Sequence, residues 1–240
     1  MKFVLSSQIN RAMKYDSFVG AIIYGGQRLG KSSYAAQILY DIYQDWGLVN
    51  EYMLFELGDV VELLDRANRE RRKLPVICWD DCGVHANKLV YFQDRLLVQY
   101  LGNLMDVVGL NLGGLLMTTP SPLNLLRTLR GYEFLRIKVY RRDQYNGRIA
   151  VGYQSVLLPS GSRIIRREFK DNYNVLLPDE FYLPYLNKRQ AYLDTAIARL
   201  RGLVNIQAGD FELSGRTKSE GGSLLSSRES RGISSVLLQS

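Results

Sequence analysis

Residues Gly25-Gly26-Gln27-Arg28-Leu29-Gly30-Lys31-Ser32 spell G-x-x-x-x-G-K-S. Each fixed residue type in that spacing has a chemical use. The glycines allow a tight turn whose backbone N–H groups converge, the lysine adds an ammonium group, and the serine adds a hydroxyl. Together they suit a chain of phosphates with a divalent cation, so the expected ligands are ATP and Mg²⁺. Contacts are expected from Gly25, Gly26, Gln27, Arg28, Leu29, Gly30, Lys31, Ser32 and Ser33. Lys31 would reach the β- and γ-phosphates, and Ser32 would join the Mg²⁺ shell. The alternative is a glycine turn that ends in a surface lysine. Such a loop must lie between a strand and a helix. Phe18 to Tyr24 is a short apolar run suited to a buried parallel strand, and Ser33 to Tyr43 carries apolar residues at helical spacing.

Hydrolysis needs an acid on the metal side, and Val76-Ile77-Cys78-Trp79-Asp80-Asp81 supplies two at the end of a buried-strand pattern. Asp80 is the expected metal-side carboxylate. Asp81 is expected to orient or deprotonate the attacking water. The alternative is a pair of turn-capping aspartates. A third apolar run, Gly113 to Met117, ends in Thr118-Thr119-Pro120. A hydroxyl at that tip is placed to sense the γ-phosphate, with Thr119 the first candidate and Thr118 the second. The alternative is a strand that stops where proline cannot donate.

These groups need a parallel sheet with helical crossovers and its ligands at the carboxyl ends of the strands. Glu51 to Leu57 reads as a further strand, and a helix is expected from Asp59 to about Arg72 with Val60, Val61, Leu63, Leu64 and Ala67 inward. A helix from Asp94 to Leu110 would bury Leu96, Leu97, Tyr100, Leu101, Leu104 and Val108. Pro122 to Arg130 reads as a short helix or turn. The period then changes to two: Tyr132 to Tyr140 and Ile149 to Leu158, separated by Asn146-Gly147, read as a β-hairpin. From Pro184 to about Leu203, Leu186, Leu193, Ile197 and Leu200 recur at helical spacing. The expected fold is a three-layer α/β P-loop NTPase with a mainly parallel sheet, a C-terminal β-hairpin arm (about 132–158) and a closing helix (about 184–203).

The 240 residues, 46% of them hydrophobic, suffice for one compact domain over 1–206. Residues 207–240 are rich in Ser and Gly and read as a flexible tail. No apolar run approaches the roughly 18 residues of a membrane span, and the N-terminal apolar stretch is too short for a secretory signal. No membrane partner and a cytoplasmic location are therefore expected. Cys78 and Cys82 match no zinc or redox spacing. The single His85 is taken as structural and left out of the site.

With 31 Lys and Arg against 24 Asp and Glu the chain carries a net charge of +7. Its basic residues crowd after the third strand, interleaved with Tyr132, Tyr140, Tyr145, Tyr153 and Phe169. That pattern suits a phosphate backbone with aromatic faces for stacking. DNA is the expected partner, contacted by Arg141, Arg142, Tyr145 and Arg148 at the hairpin turn. The alternative is a solvated or internally paired basic face.

In its phosphate loop ending Gly30-Lys31-Ser32, its Asp80-Asp81 pair and its polar third strand, the segment from Phe18 to Thr119 resembles the DnaA-like ATPases of fuselloviruses and related archaeal plasmids, within the AAA+ and RecA-like P-loop group. Arg28 and Leu29 stand where AAA+ loops usually carry Gly-Thr-type residues, and no helical lid is evident. The resemblance implies a replication initiator or helicase-loader-like ATPase in the host cytoplasm, a homo-oligomer with a replication-protein partner. Arg127 or Arg130 would reach a neighbouring subunit's γ-phosphate. An FtsK-like DNA packaging or transfer motor, and a nucleotide-gated protein switch without DNA contact, are the alternatives.

Overall fold

The computed structural model of the chain describes residues 2–83, 95–143 and 145–220. His85 and Asp94, the expected first residue of a helix, lie outside the described residues. Seven strands form one sheet: β1 (Val19–Tyr24), β2 (Met53–Leu54), β3 (Ile77–Trp79), β4 (Gly114–Thr119), β5 (Leu135–Arg141), β6 (Gly147–Leu157) and β7 (Arg163–Asn174). Their spatial order is β2-β3-β4-β1-β5-β6-β7. The first five are parallel to their neighbours, and β6 and β7 are added antiparallel.

Strands β3 and β4 are buried at every position, and so are the four central residues of β1. Burial on both faces is what a parallel sheet between helical layers requires, and it explains why these segments read as continuous apolar runs rather than alternating ones. The helices are α1 (Val4–Lys14), α2 (Lys31–Tyr43), α3 (Trp46–Tyr52), α4 (Leu57–Arg69), α5 (Arg95–Val107), α6 (Arg127–Gly131) and α7 (Asp179–Glu220). The result is the expected three-layer α/β fold. Register sets the site: Tyr24 of β1 lies beside Thr119 of β4, and Trp79 of β3 beside Met117. The glycine loop, the two aspartates and the two threonines therefore emerge on one edge of the sheet.

Several elements depart from the sequence expectations. Glu51 and Tyr52 belong to α3, because the Asp45 side chain accepts a hydrogen bond from the Leu48 N–H at 3.0 Å and starts a helix there, leaving β2 only two residues. Helix α5 is turned from the expected stripe. It buries Val98, Leu101 and Met105, whereas Leu96, Leu97 and Tyr100 are exposed. The hairpin is present, but β5 is an integral strand paired with β1 from Ala21↔Leu135 to Tyr24↔Lys138. Helix α7 begins at Asp179, whose carboxylate and that of Glu180 suit the positive end of a helix, and it extends to Glu220, into the stretch read as tail.

Two elements were not anticipated. β7 turns Phe169, Asp171 and Tyr173 inward at period two. Helix α1 buries Leu5, Ile9 and Ala12. The N–H groups at its start, which have no partner within the helix, are taken up by carboxylates from distant segments: Asp41 of α2 accepts from the Phe3 N–H at 2.9 Å, and Asp171 of β7 from the Val4 N–H at 3.1 Å. Asp171 also accepts from the buried Tyr34 hydroxyl at 2.6 Å, so one carboxylate ties together α1, α2 and β7.

The chain divides into two compact units, Met1–Tyr192 and Leu193–Ser240. The site described below lies in the first. Among the described residues no helix is long and apolar enough to cross a membrane.

Candidate functional site

The glycine loop runs from the end of β1 into α2. Gly30 has φ 90°, and a Cβ there would lie 2.5 Å from the Val175 side chain. Both facts exclude a larger residue. Gly25 has φ 152° and would bring a Cβ within 3.0 Å of the Val139 carbonyl. The loop is also braced from the antiparallel strands. Tyr173 of β7 donates from its hydroxyl to the Gly30 carbonyl at 2.9 Å, and Arg148 of β6 donates from Nε to the Leu29 carbonyl at 3.1 Å. The Lys31 ammonium is buried and folds back over its own loop, donating to the carbonyls of Gly25 and Gly26 at 3.2 and 3.0 Å. Burial pulls its pKa down, while Asp81 and Asp80 push it up.

Asp80 leaves the end of β3 fully buried and collects three hydroxyl donors. Ser32 and Thr118 donate to its Oδ1 at 2.9 and 2.5 Å, and Tyr185 of α7 donates to Oδ2 at 2.7 Å. A carboxylate is acceptor-only, so all three hydroxyls must point their protons at it. Burial and the adjacent Asp80 push the Tyr185 phenol far up, which keeps it protonated. Thr118 is the bridge between the two acids, because the same Oγ1 accepts from the Asp81 N–H at 2.9 Å.

Asp81 sits at φ 49°, a left-handed conformation that Asp tolerates, in the turn that follows β3. Its carboxylate meets Arg189 of α7 at 3.2 Å. Burial and the neighbouring Asp80 raise the Asp81 carboxyl above the ordinary carboxylate value, while Arg189 and Lys31 pull it back.

A cleft of about 530 Å³ opens beside these groups, lined by Arg28, Lys31, Ser32, Ser33, Asp81, Tyr185 and Arg189 among others. Three of those residues are cationic, and α2 begins at Lys31 against the cleft. An anion in it would meet lysine, guanidinium and helix N–H groups together. Among the described residues no group of three or more His, Cys, Asp and Glu is placed to hold a metal alone. A divalent cation here would draw on Ser32 and Asp80 and on oxygens of its ligand, a donor set that suits Mg²⁺.

The first turns of α7 are placed by aromatic packing. Phe181 lies against Trp46 at 5.3 Å between ring centroids, and Tyr185 against Phe55 at 5.6 Å. Phe181, Tyr185 and Arg189 recur at four-residue spacing, so one helix face carries two anchors and the cation that reaches Asp81. The residues expected to be buried, Leu186, Leu193, Ile197 and Leu200, are exposed.

With this geometry, comparison with known proteins gives two similarities. The chain is 26% identical over 211 residues to "Uncharacterized protein B-251" of Sulfolobus spindle-shape virus 1, covering 82% of this chain and 83% of that protein. It is 24% identical over 209 residues to "Uncharacterized protein ORF286" of Acidianus two-tailed virus, covering 80% of this chain and 73% of that protein. No family model matches.

Of the residues expected from the sequence, the structure brings together Lys31, Ser32, Asp80 and Asp81. Thr118, not Thr119, meets the acids. Neighbouring residues on a strand face opposite ways, and Thr119 Oγ1 donates instead to the Ser121 carbonyl at 3.1 Å. Arg127 is exposed on α6 and Arg130 is half-buried there, and neither lines the cleft. Arg189 is the arginine at the acid pair.

Arg141, Arg142 and Tyr145 are exposed, but Arg148 is not a surface contact. It is 5% exposed, and besides Leu29 its guanidinium donates to the carbonyls of Tyr145 and Gly147 at 3.1 and 2.9 Å. Its inward side chain shares a face with Tyr173. Arg148→Ala would leave the carbonyls of Leu29 and Tyr145 without their side-chain donor, while that of Gly147 keeps the Arg142 N–H at 3.1 Å, and would remove one of the two braces on the glycine loop. The expected outcome is a lower melting temperature and weaker nucleotide binding with no change in the salt dependence of DNA binding. A variant that binds nucleotide normally would show that the brace does not shape the loop.

Proposed function

We propose that the chain binds Mg–ATP in this cleft and hydrolyses it as a DNA-associated ATPase. The observation that carries the reading is the convergence of Lys31, Ser32, Thr118, Asp80 and Asp81 where β1, β3 and β4 end together. Backbone N–H groups of the loop and Lys31 would bind the phosphates, and Ser32 and Asp80 would hold the magnesium ion. When bound, that ion neutralises charge building on the phosphate oxygens. Asp81 would hold the attacking water and take its proton, while Thr118 keeps the two carboxylates apart in role by donating to one and accepting from the backbone of the other.

Arg189 has a further part in this reading. Its pair with Asp81 is half exposed on the arginine side, and ion pairs of that kind contribute about 0–1 kcal/mol. So weak a contact exchanges readily for a phosphate oxygen, which would free Asp81 for water. A second reading, a nucleotide-gated switch, is favoured by the same contacts, because Tyr185 and Arg189 connect both acids to the start of α7. The similarity to two viral proteins over four-fifths of the chain fits an origin in an archaeal virus, and the role we assign there, an initiator or helicase-loader-like protein, rests on the phosphate-loop and aspartate arrangement alone. In that setting a homo-oligomer would present Arg127 or Arg130 to a neighbouring site.

The test is phosphate release by the purified protein with magnesium, alone and with single- or double-stranded DNA. DNA-stimulated turnover is expected. Turnover indifferent to DNA favours the switch, and no turnover under any of the three conditions removes the ATPase reading.

A further inference from the structure

β6 and β7 outrun the strand they lie against. β5 pairs with β6 only as far as Arg136↔Tyr153, but β6 and β7 remain paired through Leu157↔Arg163. Past Tyr153 the sheet becomes a two-stranded ribbon. Its direction follows from register. β5 is parallel to β1, whose carboxyl end leads into the glycine loop, and β6 is antiparallel to β5. The ribbon therefore leaves the sheet at the edge opposite the nucleotide cleft. A register shift between Gly152 and Tyr153 marks its base, where a bulge increases local twist.

Nothing in the ribbon's composition explains it as core. Every residue from Arg163 to Glu168 is exposed, Ile165 at 71%. A ribbon of two strands adds little stability by itself, and exposed isoleucine on an edge strand is an aggregation hazard unless it has a partner. Between Tyr153 and Arg167 there are three arginines and no acid. Arg163 and Arg167 lie opposite Leu157 and Tyr153 on one face, and Arg166 lies opposite Gln154 on the other. Among the described residues none of these three guanidinium groups makes an ion pair or hydrogen bond. The first face continues onto the sheet through Arg136, Lys138 and Lys170, with Lys138 over the Tyr140 ring at 5.0 Å.

We propose that the β6–β7 ribbon is a duplex-DNA arm that enters the major groove, with Arg163, Arg166 and Arg167 on the flanking phosphates. Charge selects a polyanion, and shape selects the duplex. The major groove, about 12 Å wide, admits a two-stranded ribbon, and arginines on both ribbon faces can then meet both groove walls. Four residue steps from Tyr153 to Leu157 span roughly 13 Å before the turn, more than the groove's depth of about 8.5 Å. Ile164 and Ile165 are of the type that contacts thymine methyls. The proposal rests on the DNA-associated reading above and moves the contact from the β5–β6 turn to the opposite end of the hairpin strands.

The test is fluorescence anisotropy of the full chain, without nucleotide, on a short random-sequence duplex and on its single strand across a salt series. Arg163→Gln/Arg166→Gln/Arg167→Gln is compared with Arg141→Gln/Arg142→Gln. The ribbon variant should lower the magnitude of the log–log salt slope by roughly 0.9 for each arginine lost, so its affinity loss between 50 and 200 mM salt shrinks roughly fortyfold. The turn variant should match the parent. The three single variants, each taking about a third of the effect, keep the test valid if the triple variant folds poorly.

An unchanged slope in a ribbon variant with a normal melt overturns the arm, as does a parent chain that does not bind the duplex. Equal or tighter binding to the single strand, lost in the ribbon variant, overturns the duplex assignment. Basal ATPase is measured in parallel and should be untouched by the ribbon substitutions. Arm-dependent duplex binding in a parent that hydrolyses nothing would sustain the arm and strike the ATPase reading alone.

Discussion

Lys31→Ala is expected to abolish the proposed ATP turnover. Lys31 lies at the start of α2, with its ammonium buried against the carbonyls of Gly25 and Gly26 and under the influence of both aspartates. Those two carbonyl bonds are neutral-acceptor contacts that the ammonium can exchange for the more strongly charged oxygens of a triphosphate. The charge then lies where negative charge accumulates during phosphoryl transfer. Deleting a single preorganised donor of that kind costs roughly a hundred- to thousandfold in rate, and here a full charge is deleted with it. Binding should weaken as well, because the β- and γ-phosphates lose the same group. Fold is not at issue, since the removed side chain supports only its own loop. Phosphate release and titration with a fluorescent ATP analogue measure the two effects, and a thermal melt verifies the fold. Parental turnover in a folded Lys31→Ala protein would remove the ATPase reading.

The parts of this site legible in the sequence are those that backbone geometry fixes locally. A loop bounded by Gly25 and Gly30 needs torsions that few residues adopt, so its spacing is readable without any knowledge of the fold. Asp80-Asp81 is readable because a buried three-residue strand must end where its apolar run ends. What escaped was whatever depended on facing. Thr118 and Thr119 are chemically alike and differ only in the side of β4 on which they fall. The choice needed the register that brings β3 and β4 together. The same limit applies to α7, where two neighbouring series of residues offer helical spacing. Leu186, Leu193, Ile197 and Leu200 form the more apolar series, yet the aromatic pocket around Trp46 and Phe55 selects Phe181 and Tyr185. Arg189 comes to the acids as a consequence. A signal existed in the four-residue spacing of Phe181, Tyr185 and Arg189, but it competed with a stripe that looked more hydrophobic. Arg148 shows the converse case. Charge and a neighbouring Asn-Gly turn made it look like surface, whereas inward facing on β6 made it the brace of the glycine loop.

Asp81→Asn should separate binding from hydrolysis. The groups proposed to hold the metal and phosphates are Lys31, Ser32 and Asp80, and the hydrogen bonds that set them pass through Thr118 and Tyr185. Thr118 contacts Asp81 only at its backbone N–H, which asparagine retains. The substituted side chain also keeps an oxygen to accept from Arg189, so the turn at φ 49° has no reason to change. Asparagine tolerates that conformation as aspartate does. Only the carboxylate's ability to take a proton is lost, and positioned general bases contribute about 10²- to 10⁴-fold. ATP affinity within about threefold of the parent, with turnover reduced by two orders of magnitude or more, is the expected pattern. It corresponds to an interaction made in the transition state rather than in the bound ground state. Buried charge adds a second signature. Burial and Asp80 hold the Asp81 carboxyl above its ordinary value, so ionising it costs more in the folded protein than in the unfolded chain. An elevated folded pKa means that the native state binds a proton the unfolded chain has already released. The relative stability this confers is full below the ordinary carboxylate value and is lost as pH rises through the raised one. Asparagine has no such loss, so Asp81→Asn should melt higher than the parent near neutral pH, and the gap should close as the pH falls toward 4. Weakened ATP binding with unimpaired turnover would reverse the roles given to Asp80 and Asp81. A melt that drops at neutral pH would show that the pair with Arg189 outweighs the burial of the charge.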